Sequence, residues 1–74
     1  DATIRVQFDM PDDGLVRWRI SDASGRVALT GTTGSTKGRN GFDIDLQVLE
    51  AGTYTLQLID PHGGPVGVAR FVKR

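Results

Sequence analysis

Apolar and polar positions alternate along most of this chain. In Thr3–Met10, Ile4, Val6, Phe8 and Met10 share one face, and Thr3, Arg5, Gln7 and Asp9 share the other. Leu15–Ser21 directs Val16, Trp18 and Ile20 inward and Arg17 and Arg19 outward. Val27 and Leu29 continue the pattern in Arg26–Gly31. Phe42, Ile44 and Leu46 alternate with Asp43 and Asp45, and Tyr54, Leu56 and Leu58 alternate with Thr53, Thr55 and Gln57. A period of two is the signature of a strand with one buried face. The last run, Val66–Lys73, is readable in two registers. Val66, Val68, Arg70 and Val72 lie on one face, Ala69 and Phe71 on the other, and a bulge near Gly67 would switch between them.

Turn residues separate the runs. Pro11-Asp12-Asp13-Gly14, Asp22-Ala23-Ser24-Gly25 and the Pro- and Gly-rich Asp60–Pro65 each combine an Asp with a Gly that tolerates positive φ. One helical turn is expected at Leu46–Glu50, where Leu46 and Leu49 stand three apart; no longer window has a helical period. Gly31–Gly41 holds four glycines and no large apolar residue, so it is expected to be a mobile loop or a weak edge strand. Short strands punctuated by turns predict an all-β fold, an immunoglobulin-like antiparallel β-sandwich of six to seven short strands, with residues 1–74 as one domain.

Composition narrows the function. A chain of 74 residues buries only about 60–65% of its unfolded surface, so its net stability is expected to be on the order of 5 kcal/mol. It has no cysteine and hence no disulfide. Nine basic residues balance nine acidic ones, which argues against a nucleic-acid partner, since such a partner selects a basic face. The chain starts at Asp1 without an initiator Met or a signal peptide, and is expected to be a piece of a longer, processed protein.

Candidate chemistry is sparse. The single histidine, His62, lies in a Pro- and Gly-rich turn, where a general base would lack a positioned partner and a cleft. Ser21, Ser24 and Ser35 have no nucleophile-elbow context. Asp9, Asp12 and Asp13, and separately Asp43 and Asp45, offer oxygen ligands of the kind calcium takes, but they read more simply as turn chemistry and as the solvent face of a strand. No enzyme activity, metal or cofactor is expected. Trp18 shares a face with Val16 and Ile20 and is expected between the sheets. Arg17 and Arg19 are expected to form a solvated face that blunts edge pairing.

Three landmarks in Ile20–Arg74 resemble the C-terminal sorting domains (type A) of the type IX secretion system of Gram-negative bacteria. The first is a strand ending in Asp22, then a turn through Gly25-Arg26-Val27. The second is Ile44-Asp45-Leu46, then Leu49, Ala51-Gly52 and Tyr54. The third is a closing strand ending Phe71-Val72-Lys73-Arg74. The opening strand matches more loosely. Trp18 and the long Asp60–Gly67 segment depart from the family's pattern. By their own chemistry these are chiefly fold residues: Gly25 and Gly52 are expected at positive φ, Leu46 and Leu49 plug one end, and the Tyr54 hydroxyl reaches a backbone group as in a tyrosine corner.

The resemblance implies a signal domain read in the periplasm and at the outer membrane, which takes its parent protein to the cell surface. Its partners would be the secretion machinery, a surface sortase and the parent protein N-terminal to it. Self-association through edge strands is a further expectation. Phe71, Val72, Lys73 and Arg74 are the candidate recognition residues. Phe71 or Val72 is expected to anchor the last strand, while Lys73 and Arg74 extend beyond it. The alternative is a generic immunoglobulin-like accessory module of a secreted enzyme or adhesin, or a carbohydrate-binding module with Trp18 and Tyr54 as its platform.

Overall fold

The computed structural model describes residues 2–74; Asp1 lies outside the described residues. Among the described residues the alternating runs form six strands and no helix: β1 (Thr3–Met10), β2 (Gly14–Asp22), β3 (Val27–Ser35), β4 (Gly38–Asp45), β5 (Gly52–Ile59) and β6 (Pro65–Lys73). They assemble into two antiparallel sheets, one of two strands in the order β1-β4 and one of four in the order β3-β2-β5-β6. The sheets pack as a small β-sandwich. Its core is a single cluster of eleven buried apolar side chains supplied by β1, β2, β4, β5 and the link after β4. Val16 and Ile20 of β2 are fully buried at its centre. Each such side chain contributes roughly 1.5–3 kcal/mol of gross burial energy.

Only two links are hairpins, and they share one construction. In Asp22–Arg26 the Asp22 amide donates to the Arg26 carbonyl, Gly25 N–H to the Asp22 carbonyl, and Asp22 Oδ1 accepts from the amides of Ser24 and Arg26. In Asp60–Gly64 the Asp60 amide donates to the Gly64 carbonyl, Gly63 N–H to the Asp60 carbonyl, and Asp60 Oδ1 accepts from the amides of His62 and Gly64. Gly25 and Gly63 have φ of 90° and 87°. A side chain would be strained there, which is why the motif needs glycine at its fourth position.

The other three links carry the chain from one sheet to the other. Pro11–Asp13, read from sequence as a tight turn, is one of these crossings, and Gly14 begins β2 without positive φ. The glycine-rich segment divides: its first half completes β3, an edge strand as expected, and its second half begins β4. Asn40 holds the crossing between them, accepting from Thr36 N–H and donating to the Thr36 and Gly38 carbonyls, and Asp13 Oδ1 accepts from Lys37 N–H. Residues 46–51 form the third crossing. Leu49 N–H donates to the Leu46 carbonyl in a single turn in place of the expected helical one.

Two bulges adjust the strands. One lies opposite Ile20 and Ser21: Ile20 pairs with Leu29 but Ser21 with Val27. The extra residue, Ala28, turns Val27 outward, which corrects its expected inward position. The other is the bulge expected near Gly67. Leu58 pairs with Gly67 and Ile59 with Pro65, leaving Val66 extra. Val66 and Phe71, of opposite parity in the chain, therefore both pack against the core, while Val68 and Val72 face solvent.

Two expectations about β2 are corrected. It is an inner strand, so Arg17 and Arg19 blunt no edge. Trp18 is half-buried and not enclosed. It leans on Phe42 with centroids 6.4 Å apart and covers Gly31 of edge strand β3. A two-stranded sheet is too narrow to roof a four-stranded one, and Trp18 is covered in part.

Candidate functional site

The residues of the three landmarks, spread from Asp22 to Arg74 in three separate segments, meet at one end of the sandwich. Asp22 ends β2 opposite Tyr54, near the start of β5, and Tyr54 in turn sits opposite Phe71 of β6. The Tyr54 and Phe71 rings stack with centroids 5.7 Å apart and planes at 23°. Such a pair is worth about 0.5–1.5 kcal/mol beyond its burial. Tyr54 is buried, and its hydroxyl donates to the Glu50 carbonyl at 2.6 Å. This fastens the crossing loop to the sheet, as the tyrosine-corner expectation required. Leu46 and Leu49 close the same end, both buried.

Asp22 organises its own turn. Besides the two amides, its Oδ1 accepts the Ser24 hydroxyl at 2.7 Å. That hydrogen bond first, and the Arg26 amide next, hold the Asp22 carboxyl below the usual carboxylate range, with the positive charge of Arg26 adding to the effect. Arg26 itself is exposed.

Two sequence assignments at this end are corrected. Gly52 is not at positive φ. It opens β5 opposite Lys73 in extended conformation, and a Cβ there would meet Tyr54 Cε2 at an ordinary 3.8 Å. The crossing loop enters the strand straight, so no left-handed residue is needed. Lys73 does not extend beyond the fold: it is the last residue of β6, partly buried, and its ammonium donates to the Leu49 carbonyl. The long alkyl stem covers the leucine plug while the charge reaches an otherwise idle carbonyl. Of the two anchor candidates Phe71 serves and Val72 does not; Val72 is exposed on the outer sheet face. Arg74 is the one exposed member of the basic pair.

Val72, Lys73 and Arg74 also border, with Ala2, Thr3, Ile4, Leu46 and Gln47, an open depression of about 640 Å³. It lies where the last strand, the first strand and the crossing loop adjoin. The contribution of the first strand was missed in sequence. Its signal is the parity of Thr3–Met10, which runs antiparallel beside the end of β4 through Thr3–Asp45 and Ile4–Ile44.

The alternative sites are placed as well. His62 is exposed in the β5–β6 turn, at the other end of β5. Asp43 faces solvent 3.4 Å from Arg5, and Asp9 lies 3.3 Å from Arg39. Among the described residues no group of three or more acidic or histidine side chains is placed to hold a metal. Tyr54 is buried beneath its own hydrogen bond, so it does not join Trp18 in an exposed platform. No family model, no curated protein and no solved structure matches the chain.

Proposed function

We propose that this chain is a C-terminal sorting domain of the type IX secretion kind: a folded signal that directs its parent protein to the surface of a Gram-negative bacterium. On this reading it is recognised in the periplasm and at the outer membrane by the translocation machinery and by a surface sortase. It does no chemistry of its own. The observation that carries the reading is the convergence of Asp22, Gly25, Leu46, Leu49, Tyr54, Phe71 and Lys73 on one end of the sandwich. Through Lys73 and the Tyr54–Phe71 stack the closing strand is tied to the crossing loop at that end. The exposed Arg74 and Val72, beside Ala2 and the start of β1, are the accessible part of that end.

The test is delivery of a reporter protein fused ahead of the domain in a bacterium that has this secretion system. The fusion should reach the surface, and the reporter alone should stay in the periplasm. Surface delivery of the reporter without the domain would end this reading and leave an accessory module of a secreted protein in its place.

A further inference from the structure

The two outer faces of the sandwich differ in charge. The outer face of the two-stranded sheet carries both signs and pairs them, Arg5 with Asp43 and Arg39 with Asp9. The outer face of the four-stranded sheet carries one sign only. Arg17 and Arg19 of β2 lie opposite Thr32 and Thr30 of β3 on one side and Ile59 and Gln57 of β5 on the other. Continuing outward, Gln57 pairs with Val68 and Thr55 with Arg70 of β6. Those strands place no Asp, Glu or Lys in the outward positions between the turns. In a chain of zero net charge, the outward strand positions of this face therefore hold three arginines and no carboxylate. Among the described residues the Arg19 side chain donates only to Gln57, and the side chains of Arg17 and Arg70 make neither hydrogen bond nor ion pair.

The same face is unusually apolar for a solvated one. Leu15, Val68 and Val72 are 59%, 65% and 60% exposed on it. Between the central arginines lies a shallow depression of about 430 Å³, lined also by Trp18, Thr30, Gly31, Thr32, Ile59 and Gly63. Arginine is enriched and lysine depleted at protein–protein contact surfaces, and exposed aliphatic side chains beside the arginines add apolar area to bury. A glycan would ask for an exposed aromatic platform, and Trp18 is turned to the inner side.

We propose that this face is a docking surface for an acidic protein surface, with partner carboxylates meeting Arg17, Arg19 and Arg70 and partner aliphatic groups covering Leu15, Val68 and Val72. Bidentate guanidinium–carboxylate pairing suits arginines held on a rigid sheet. Four strands about 4.8 Å apart and about 3.3 Å per residue make a face of roughly 500 Å². That is less than the ~800 Å² per partner of a standard stable interface, so the contact is a passing one, fit for a signal that must be released. The identity of the reader as secretion machinery rests on the sorting reading above; the surface and its chemistry do not.

The experiment is an NMR titration of the isotope-labelled chain with a soluble peptide of alternating glutamate and valine. Shifts should be confined to the Arg17, Arg19 and Arg70 side-chain Nε–H groups and to amides of β2, β5 and β6 around them, and should shrink as salt is raised. The triple variant R17Q/R19Q/R70Q should keep its fold and bind at least about tenfold more weakly, and R17E/R19E/R70E more weakly still, by like-charge repulsion. Saturable shifts centred on Arg5, Lys37 or Arg39 would overturn the proposal. So would the absence of saturable shifts, preferential binding of heparin or anionic lipid vesicles, or concentration-dependent dimerisation through this face. In the reporter assay the folded R17Q/R19Q/R70Q fusion should be held in the periplasm. Its normal delivery would remove this face from sorting, whereas delivery of a reporter lacking the domain would end the sorting reading and leave the titration result intact.

Discussion

Replacing Tyr54 by Phe removes one oxygen and tests how the crossing loop is held. The ring would keep its place in the core and its stacking on Phe71, so the loss is the hydroxyl's hydrogen bond to the Glu50 carbonyl. A hydrogen bond of this kind is worth about 0.5–1.5 kcal/mol net, and leaving a buried acceptor unpaired costs up to about 3. The Glu50 backbone lies at the end of the sandwich, where Glu50 is exposed. Water can therefore replace part of the bond, and the expected cost is about 1 kcal/mol. For a domain of this size that is a fall in melting temperature of about 4–8 °C. It is also a sizeable fraction of a total stability on the order of 5 kcal/mol. Urea unfolding followed by circular dichroism measures it directly, with the midpoint lowered and the slope unchanged. A Tyr54→Phe variant as stable as the parent would show that the hydroxyl does not fasten the loop. A changed slope would show that the loop opens altogether, and either result would undo the account of this end of the fold.

Gly25→Ala should cost more than about 1 kcal/mol, because φ is +90° there, whereas Gly52→Ala should be nearly neutral; equal melting temperatures for the two variants would contradict the turn assignment. Gly31→Ala places a Cβ 2.4 Å from Trp18 Cζ2, so it should push the indole outward, red-shift its fluorescence and destabilise by about 1–3 kcal/mol; an unmoved emission maximum would contradict the packing. The lowered pKa of Asp22 means that its folded carboxylate is favoured. Its contribution is fully present above the ordinary value of 3.8 and is lost as pH falls from there toward the folded value. Asp22→Asn should therefore weaken the dependence of melting temperature on pH below about 4, and an unchanged acid profile would rule out this source. Deleting Arg74 alone should leave stability within about 0.5 kcal/mol, as at other exposed positions, while Lys73→Ala should cost about 1 kcal/mol through the lost bond to Leu49 and the lost cover of the plug. Matching melts for both variants would return Lys73 to the solvent.

Local chemistry is what the sequence carried. The period of two in Thr3–Met10 and Tyr54–Leu58 determined the strands and which side chains they bury, because neighbouring side chains on a strand can only point to opposite faces. Asp22 with Gly25, and Asp60 with Gly63, determined the two hairpins, since an Asp that caps two amides and a glycine at positive φ act within five residues. The Tyr54 corner was legible for the same reason: its acceptor, Glu50, is four positions away. What lay beyond local reach was decided by tertiary structure. Pro11–Asp13 has the composition of a hairpin turn, yet it crosses between sheets, because pairing partners are chosen by core fit across the whole chain. Trp18 shares the parity of Val16 and Ile20 but not their burial, because the opposing sheet has only two strands and covers it in part, through Phe42. Lys73 reads as a free tail until the Leu49 carbonyl, 24 residues away, is brought beneath it. The gathering of Arg17, Arg19 and Arg70 on a face with no outward carboxylate arises the same way. Each arginine is an ordinary outward residue on its own strand, and only the strand order β3-β2-β5-β6 places them on one face.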